Sequence, residues 1–205
     1  MGGLYTYVMP YDIGFAPNPY HGACTLATCK PGIRRTAQPG DWVVGIGSKQ
    51  RCRKNLMIYA MRVQEILSYD EYWESPRFAR KKPFRAGSLK QRYGDNVYHH
   101  TIDGREWVQE DSRHSLDGGT PNPKHLKRDT SAPQVLVSTS FAYYGDQAIE
   151  IPVQFRVWDG KEILNTGPGY RRNFPAELRA EFIAWLELRA NVGIAGEPAD
   201  WPRDV

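Results

Sequence analysis

The sequence predicts an α+β fold: a small, curved mixed sheet or barrel carrying short helices and one long C-terminal helix. Two observations lead there. Strand-length runs of apolar and aromatic residues recur at 4–9, 42–46, 56–67, 134–138 and 149–158, separated by Gly/Pro loops. Only one segment, from Ala176 to about Ala190, keeps an apolar stripe at helical spacing. The 205 residues are enough to bury a sizeable core, and no linker or repeat divides them.

The elements follow in order. Leu4–Met9 alternates aromatic and small residues and ends at Pro10; a Pro/Gly loop with Phe15 and Tyr20 comes next. Pro31 suits the first position of a short helix that carries Arg34 and Arg35. Pro39-Gly40-Asp41 turns into a buried strand ending in Gly45-Ile46-Gly47-Ser48, where the glycines let a ligand or another backbone approach. Residues 49–54 form a basic loop, and 56–67 one long strand. Asp70–Glu74 is a helical turn, 95–98 a strand entry, and 111–131 a long polar loop with Gly118-Gly119. After strand 134–138 come Phe141-Ala142-Tyr143-Tyr144, strand 149–158, a Gly/Pro loop at 166–172, and the closing helix, 175–191.

Charge is uneven. Residues 1–94 hold 15 Lys/Arg against 6 Asp/Glu, whereas the remainder holds 12 against 17. A basic half points to an anionic partner. The densest stretch carries Arg77, Arg80, Lys81, Lys82, Arg85, Lys90 and Arg92 without an acid, interleaved with Phe78, Phe84 and Tyr93. Cations among aromatics suit a phosphate track with stacking faces, and these seven are the candidate nucleic-acid residues.

Three cysteines suit a reducing compartment. Cys24 and Cys29 are separated by four residues and lack the CxxC knuckles of zinc sites, so the thiols are read as packed and no metal or cofactor is expected. No secretion signal or membrane span is present, so a cytoplasmic location is expected. Asp95, Asp111 and His114 are candidate acid–base groups, because an imidazole near carboxylates can move protons. No nucleophile elbow, P-loop or HExxH occurs.

The stretches Cys24-Thr25-Leu26-Ala27-Thr28-Cys29-Lys30-Pro31, Ile33-Arg34-Arg35 and Gly40-Asp41-Trp42-Val43-Val44-Gly45 resemble a bacterial and phage family, nucleotide modification associated domain 2. So do Gly94-Asp95-Asn96-Val97-Tyr98, Trp107-Val108-Gln109 with His114-Ser115, and Val135-Leu136-Val137-Ser138 with Phe141–Gly145. The resemblance implies a single domain over 1–205 and an association with DNA base modification. At fold level the Gly40-Asp41 turn before a core strand also resembles PUA-like and EVE base-reading domains.

The expected function is a nucleic-acid or nucleotide-binding module that reads a nucleotide or modified base. Lys30, Arg34 and the cations of 77–92 would hold phosphate, Trp42, Tyr98, Phe141 or Tyr143 would stack, and Asp95, Asn96 and Ser138 would read base edges beside Gly45, Gly47 and Ser48. The alternatives are an enzyme acting on a modified nucleotide, and an interaction subunit of a modification or phage-defence complex. The expected partners are nucleic acid or nucleotide and modification-system proteins, with no membrane.

Overall fold

A computed structural model describes residues 2–162, 164 and 169–202. In chain order the first elements are β1 (Leu4–Met9), β2 (Cys24–Leu26), α1 (Pro31–Thr36), β3 (Trp42–Gly47), β4 (Leu56–Arg62), β5 (Glu65–Ser68) and α2 (Tyr69–Glu74). Next come α3 (Leu89–Arg92), β6 (Tyr98–His100), β7 (Trp107–Gln109), α4 (Pro123–Thr130), β8 (Gln134–Ser138) and β9 (Phe141–Tyr143). Four strand pieces and a helix complete the chain: β10 (Ile149–Glu150), β11 (Val157–Trp158), β12 (Lys161–Glu162), α5 (Ala176–Glu187) and β13 (Gly193–Ile194). The fold is α+β, and the chain forms two compact units: residues 1–13, 37–64 and 138–205, and residues 14–36 and 65–137.

The first unit is built on a mixed sheet ordered β1-β3-β4-β9-β13, with β10 on β4. β1 and β3 run parallel, β3–β4–β9 antiparallel, and β13 parallel to β9. The order does not close on itself, so among the described residues the sheet is open and is not a barrel. β3 is buried along its whole length, as its unbroken apolar run requires. Its core joins Leu4, Trp42, Val44, Ile46 and Met57 to Phe182 and Leu186 of α5. Leu178, Phe182 and Leu186 recur every fourth residue, so α5 presents one apolar stripe, and Phe182 stacks on Phe155 at 5.0 Å. Each such buried side chain stabilises by about 1.5–3 kcal/mol.

Two expected strands are interrupted. The run 56–67 breaks at Val63-Gln64 into β4 and β5. Val63 N–H still donates to Asp41 O at 2.8 Å, one step beyond the Trp42–Arg62 pair, whereas the Gln64 side chain accepts from Thr139 N–H at 2.6 Å. The run 149–158 becomes β10, a tight 3₁₀ turn over Val153–Phe155 opened by Pro152, and β11. The closing helix stops at Glu187, short of 191. In the Gly/Pro loop expected at 166–172, residues 166–168 lie outside the described residues.

The second unit holds a three-stranded sheet ordered β2-β8-β5 and the β6–β7 hairpin. α2 begins at a capping box, in which Ser68 accepts from Glu71 N–H and the Glu71 carboxylate accepts from Ser68 N–H. The stretch 111–131, read as loop, contains α4. Asn122 caps it by accepting from Lys124 and His125 N–H, and Pro123 sits at its first position.

Candidate active site around Cys29

β2 delivers the chain to a sharp turn at Cys29-Lys30, and α1 starts immediately after it. Cys29 and Lys30 both lie in the left-handed region, at φ of 58° and 42°. Two successive non-glycine residues there cost roughly 1–2 kcal/mol each and persist only where surroundings over-determine them. Here they do. Cys29 N–H donates to Asp129 Oδ1 at 3.0 Å, Arg34 Nε donates to Cys29 O at 2.9 Å, and Tyr69 OH donates to Ala27 O at 2.7 Å.

The turn aims the half-buried Cys29 thiol at an imidazole. Cys29 Sγ lies 3.7 Å from His114 Nε2, and His114 Nδ1 lies 2.9 Å from Asp129 Oδ2. Asp129 has no exposed surface. Its carboxylate also accepts from Tyr98 OH at 3.0 Å and from Arg128 Nε at 2.8 Å. Phe15 and His125 stand edge-on to the His114 ring, at 4.7 and 4.3 Å. Thiol, imidazole and carboxylate are thus arranged in series through the two ring nitrogens.

Electrostatics follow from that order. Burial alone would raise the Asp129 carboxyl, but donors on His114 and Arg128 outweigh it and hold the group far below the usual carboxylate range. Burial alone would lower His114, but hydrogen bonds to Asp129 and Cys29 and their charges raise it. Burial pushes Tyr98 far up, helped by Asp129, so its phenol stays a donor. With Asp129 accepting at Nδ1–H, Nε2 is the ring atom left to take a proton from the thiol.

Cys29, His114 and Asp129 offer ligand atoms within 4.8 Å of one another, as a metal site would. A guanidinium fills that space. Arg128 Nη2 lies 3.7 Å from Cys29 Sγ and 3.4 Å from His114 Nε2, and it donates to Asp129 Oδ2 at 3.2 Å. A fixed cation there opposes a metal ion.

The expected site residues fall in several settings. His114 lies in the series just described, and Tyr98 supports it. Asp95 is buried and accepts from Thr25 Oγ1 and Tyr72 OH, each at 2.7 Å. Asp111 is exposed beside Arg85, 3.6 Å away, on a pocket of about 260 Å³. Lys30 is half-buried next to Cys29. Arg34 is fully buried, and its guanidinium donates to the carbonyls of Ala132, Gln134 and Asp129, which leaves it no face for phosphate. Asn96 is buried and donates to Tyr72 O.

In the first unit Trp42, Phe141 and Tyr143 are buried. Trp42 Nε1 donates to Glu187 at 3.3 Å, and Tyr143 OH donates to Asp12. The space left by Gly45 and Gly47 is taken by Met9 and Tyr59 and by the Arg53 backbone, so these glycines admit the chain's own atoms. Ser48 caps the turn at 49–51 by accepting from Gln50 N–H, and Ser138 donates to Ser140 O.

Among the basic run, Arg77, Arg80, Arg85, Lys90 and Arg92 are exposed, and Arg77 pairs with Glu65 at 3.0 Å. Lys82 sits over the Trp73 ring at 3.5 Å. Lys81 is fully buried. Its ammonium donates to Asn18 O, Asn18 Oδ1 and Thr25 Oγ1, and burial pulls it down to about 8. That side chain ties the second unit together and is absent from its surface.

Of the three thiols read as packed, Cys24 is buried, and burial pushes it up to about 12, whereas Cys52 is exposed. Cys29 is not packed, because the left-handed turn directs it to His114. Arg128 and Asp129 are not apparent as site residues from the sequence. The signal that points to them is Asn122-Pro123, an N-cap and first-turn pair that starts a helix with His125 and Asp129 on one face.

A thiol on a strand–turn–helix junction, in series with an imidazole and a buried carboxylate, is the constellation of a cysteine nucleophile. The chain belongs to the family described as nucleotide modification associated domain 2, whose model matches residues 1–204. No curated protein and no solved structure matches it. The family description ties the chain to nucleotide modification. Among the described residues no helix is long and apolar enough to cross a membrane.

Proposed function

We propose that this protein is a thiol-dependent acyl-transfer enzyme of nucleotide modification, with Cys29 as nucleophile, His114 as general base and acid, and Asp129 as the group that orients His114. The observation that carries this reading is the pair of distances at His114: 3.7 Å from Nε2 to Cys29 Sγ and 2.9 Å from Nδ1 to Asp129 Oδ2. His114 Nε2 takes the thiol proton as Sγ bonds to a carbonyl carbon of the substrate. The tetrahedral adduct collapses, and the leaving amine or alkoxide departs with the proton from His114. Water or a second amine then attacks the thioester, gives a proton to His114, and releases the acyl product. The thiolate recovers that proton, which restores the starting state.

The nucleotide side of the reading rests on the family and on charge. Arg77, Arg80, Arg85, Lys90 and Arg92 are exposed on one short segment, and cations so placed suit contact with nucleic acid. Three free thiols suit work in a reducing compartment such as the cytoplasm, beside other proteins of a modification system.

The test is an acyl-enzyme trap. p-Nitrophenyl acetate is expected to acetylate wild-type protein once, at Cys29, as read by intact mass and peptide mapping. His114→Asn should slow that acetylation, and Cys29→Ser should abolish the thioester. Acetylation at Cys52 in preference to Cys29 would contradict the reading.

A further inference from the structure

We infer that the site is built for a substrate carrying a phosphate next to its reacting carbon, held by Arg128 and Lys30. The inference rests on the thiol reading above and names the substrate class for that site. Arg128 is the link. Its Nε and Nη2 both donate to the buried Asp129, which fixes the plane of the guanidinium. The same Nη2 reaches Cys29 Sγ at 3.7 Å. The arginine side chain nevertheless keeps 41% of its surface exposed. A guanidinium anchored on one edge and open on the other is a fork for an anion.

Lys30 adds a second cation at the residue next to the nucleophile, half-buried on the same strained turn. Burial lowers it, and so does the nearby charge of Arg128, while Cys29 opposes both. His125 is likewise lowered, by burial first and then by His114 and Arg128. Lys30 and His125, each lowered first by burial and in part by Arg128, are relieved of that repulsion when an anion enters. The carboxylate of the cluster cannot serve in its place, because Asp129 has no exposed surface. A phosphate fits the chemistry of the family to which the chain belongs. Its source is the monoester of a free nucleotide or the diester of a polynucleotide.

The experiment is protection of Cys29 from iodoacetamide in the full chain, with Cys52 as internal reference. The probes are 5′-dTMP, thymidine, inorganic phosphate and a short single-stranded DNA. If the inference holds, 5′-dTMP or the DNA slows alkylation of Cys29 and thymidine does not. Protection by 5′-dTMP and phosphate but not DNA identifies a free nucleotide; protection by DNA identifies a polynucleotide. In Arg128→Gln and Lys30→Gln the half-protecting concentration should rise about tenfold, the effect of removing one charge-assisted hydrogen bond. Each variant is compared with itself, so a changed starting rate does not matter. If Arg128→Gln fails to fold, Lys30→Gln carries the test. Equal protection by thymidine and 5′-dTMP, no protection by any phosphate, or unaltered protection in the folded variants overturns the inference. In each of those cases a Cys29 that still outpaces Cys52 leaves the thiol reading standing.

Discussion

His114 Nδ1 lies 2.9 Å from Asp129 Oδ2, and Asp129 is wholly withdrawn from solvent. One carboxylate therefore fixes the imidazole, receives Arg128 and clamps the backbone of Cys29. Removing it should disturb the nucleophile, its base and the strained turn together.

Asp129→Asn is the conservative probe of that point. An amide presents an N–H where the carboxylate accepts, so His114 loses its tautomer control. Acetylation of Cys29 should fall by about 10²–10⁴-fold, the range expected when such an orienting carboxylate becomes an amide. Stability should also drop by about 3–5 kcal/mol, as for a broken buried ion pair, measured by urea unfolding. Unchanged acetylation in a folded Asp129→Asn protein would remove Asp129 from the mechanism.

Stability should depend on pH at both ends. Asp129 is held below the ordinary carboxylate value of 3.8, so its contribution is present above that value and drains away as pH falls from there toward the lower folded value. His114 is held above 6.5, so its contribution is complete below 6.5 and is lost as pH rises through the raised folded value. Denaturant midpoints should therefore fall off on both sides of a plateau between those values. In His114→Gln the alkaline decline should flatten; a wild-type curve that rises as the pH climbs above 6.5 would contradict this assignment.

Arg34→Lys tests whether the buried guanidinium is a clamp. Four carbonyl groups, those of Cys29, Ala132, Gln134 and Asp129, accept from it, and a single ammonium cannot reach all four. The loss should be about 2–4 kcal/mol of stability. Nucleotide protection of the remaining folded protein should hold. Weakened nucleotide protection at full stability would restore Arg34 to phosphate binding.

The exposed cations can be tested by salt. Replacing Arg77, Arg80, Arg85, Lys90 and Arg92 with Gln should lower affinity for DNA and flatten its dependence on salt. For single strands the slope should change by about 0.7 for each phosphate that a removed cation had neutralised. Lys81→Gln should not resemble them, because Lys81 is buried and its removal acts on folding. Identical salt slopes before and after the five substitutions would exclude this segment from DNA binding.

Much of the fold is legible in the residues. β1, α1, β3 and β8 follow from alternation, Pro31 and unbroken apolar runs, all local signals. The break after Val63 is not legible, because there the Gln64 side chain takes the N–H of Thr139, 75 residues away. Charge misleads where it is buried: Arg34 and Lys81 read as surface cations, yet carbonyl and hydroxyl acceptors recruited from distant segments take both inside. His114 is visible as a candidate acid–base residue. Its partners are 85 residues upstream and 15 downstream in the numbering, and only the fold brings Cys29 and Asp129 to it.

The central claim is that Cys29 is an activated nucleophile, and the rate of iodoacetamide alkylation at Cys29 and at Cys52 in one protein tests it most directly. Cys52 is exposed and Cys29 half-buried, so access alone favours Cys52. Cys29 should react at least about tenfold faster, and His114→Ala should abolish the advantage. A Cys29 that reacts no faster than Cys52, or one that keeps its lead without His114, would contradict the claim.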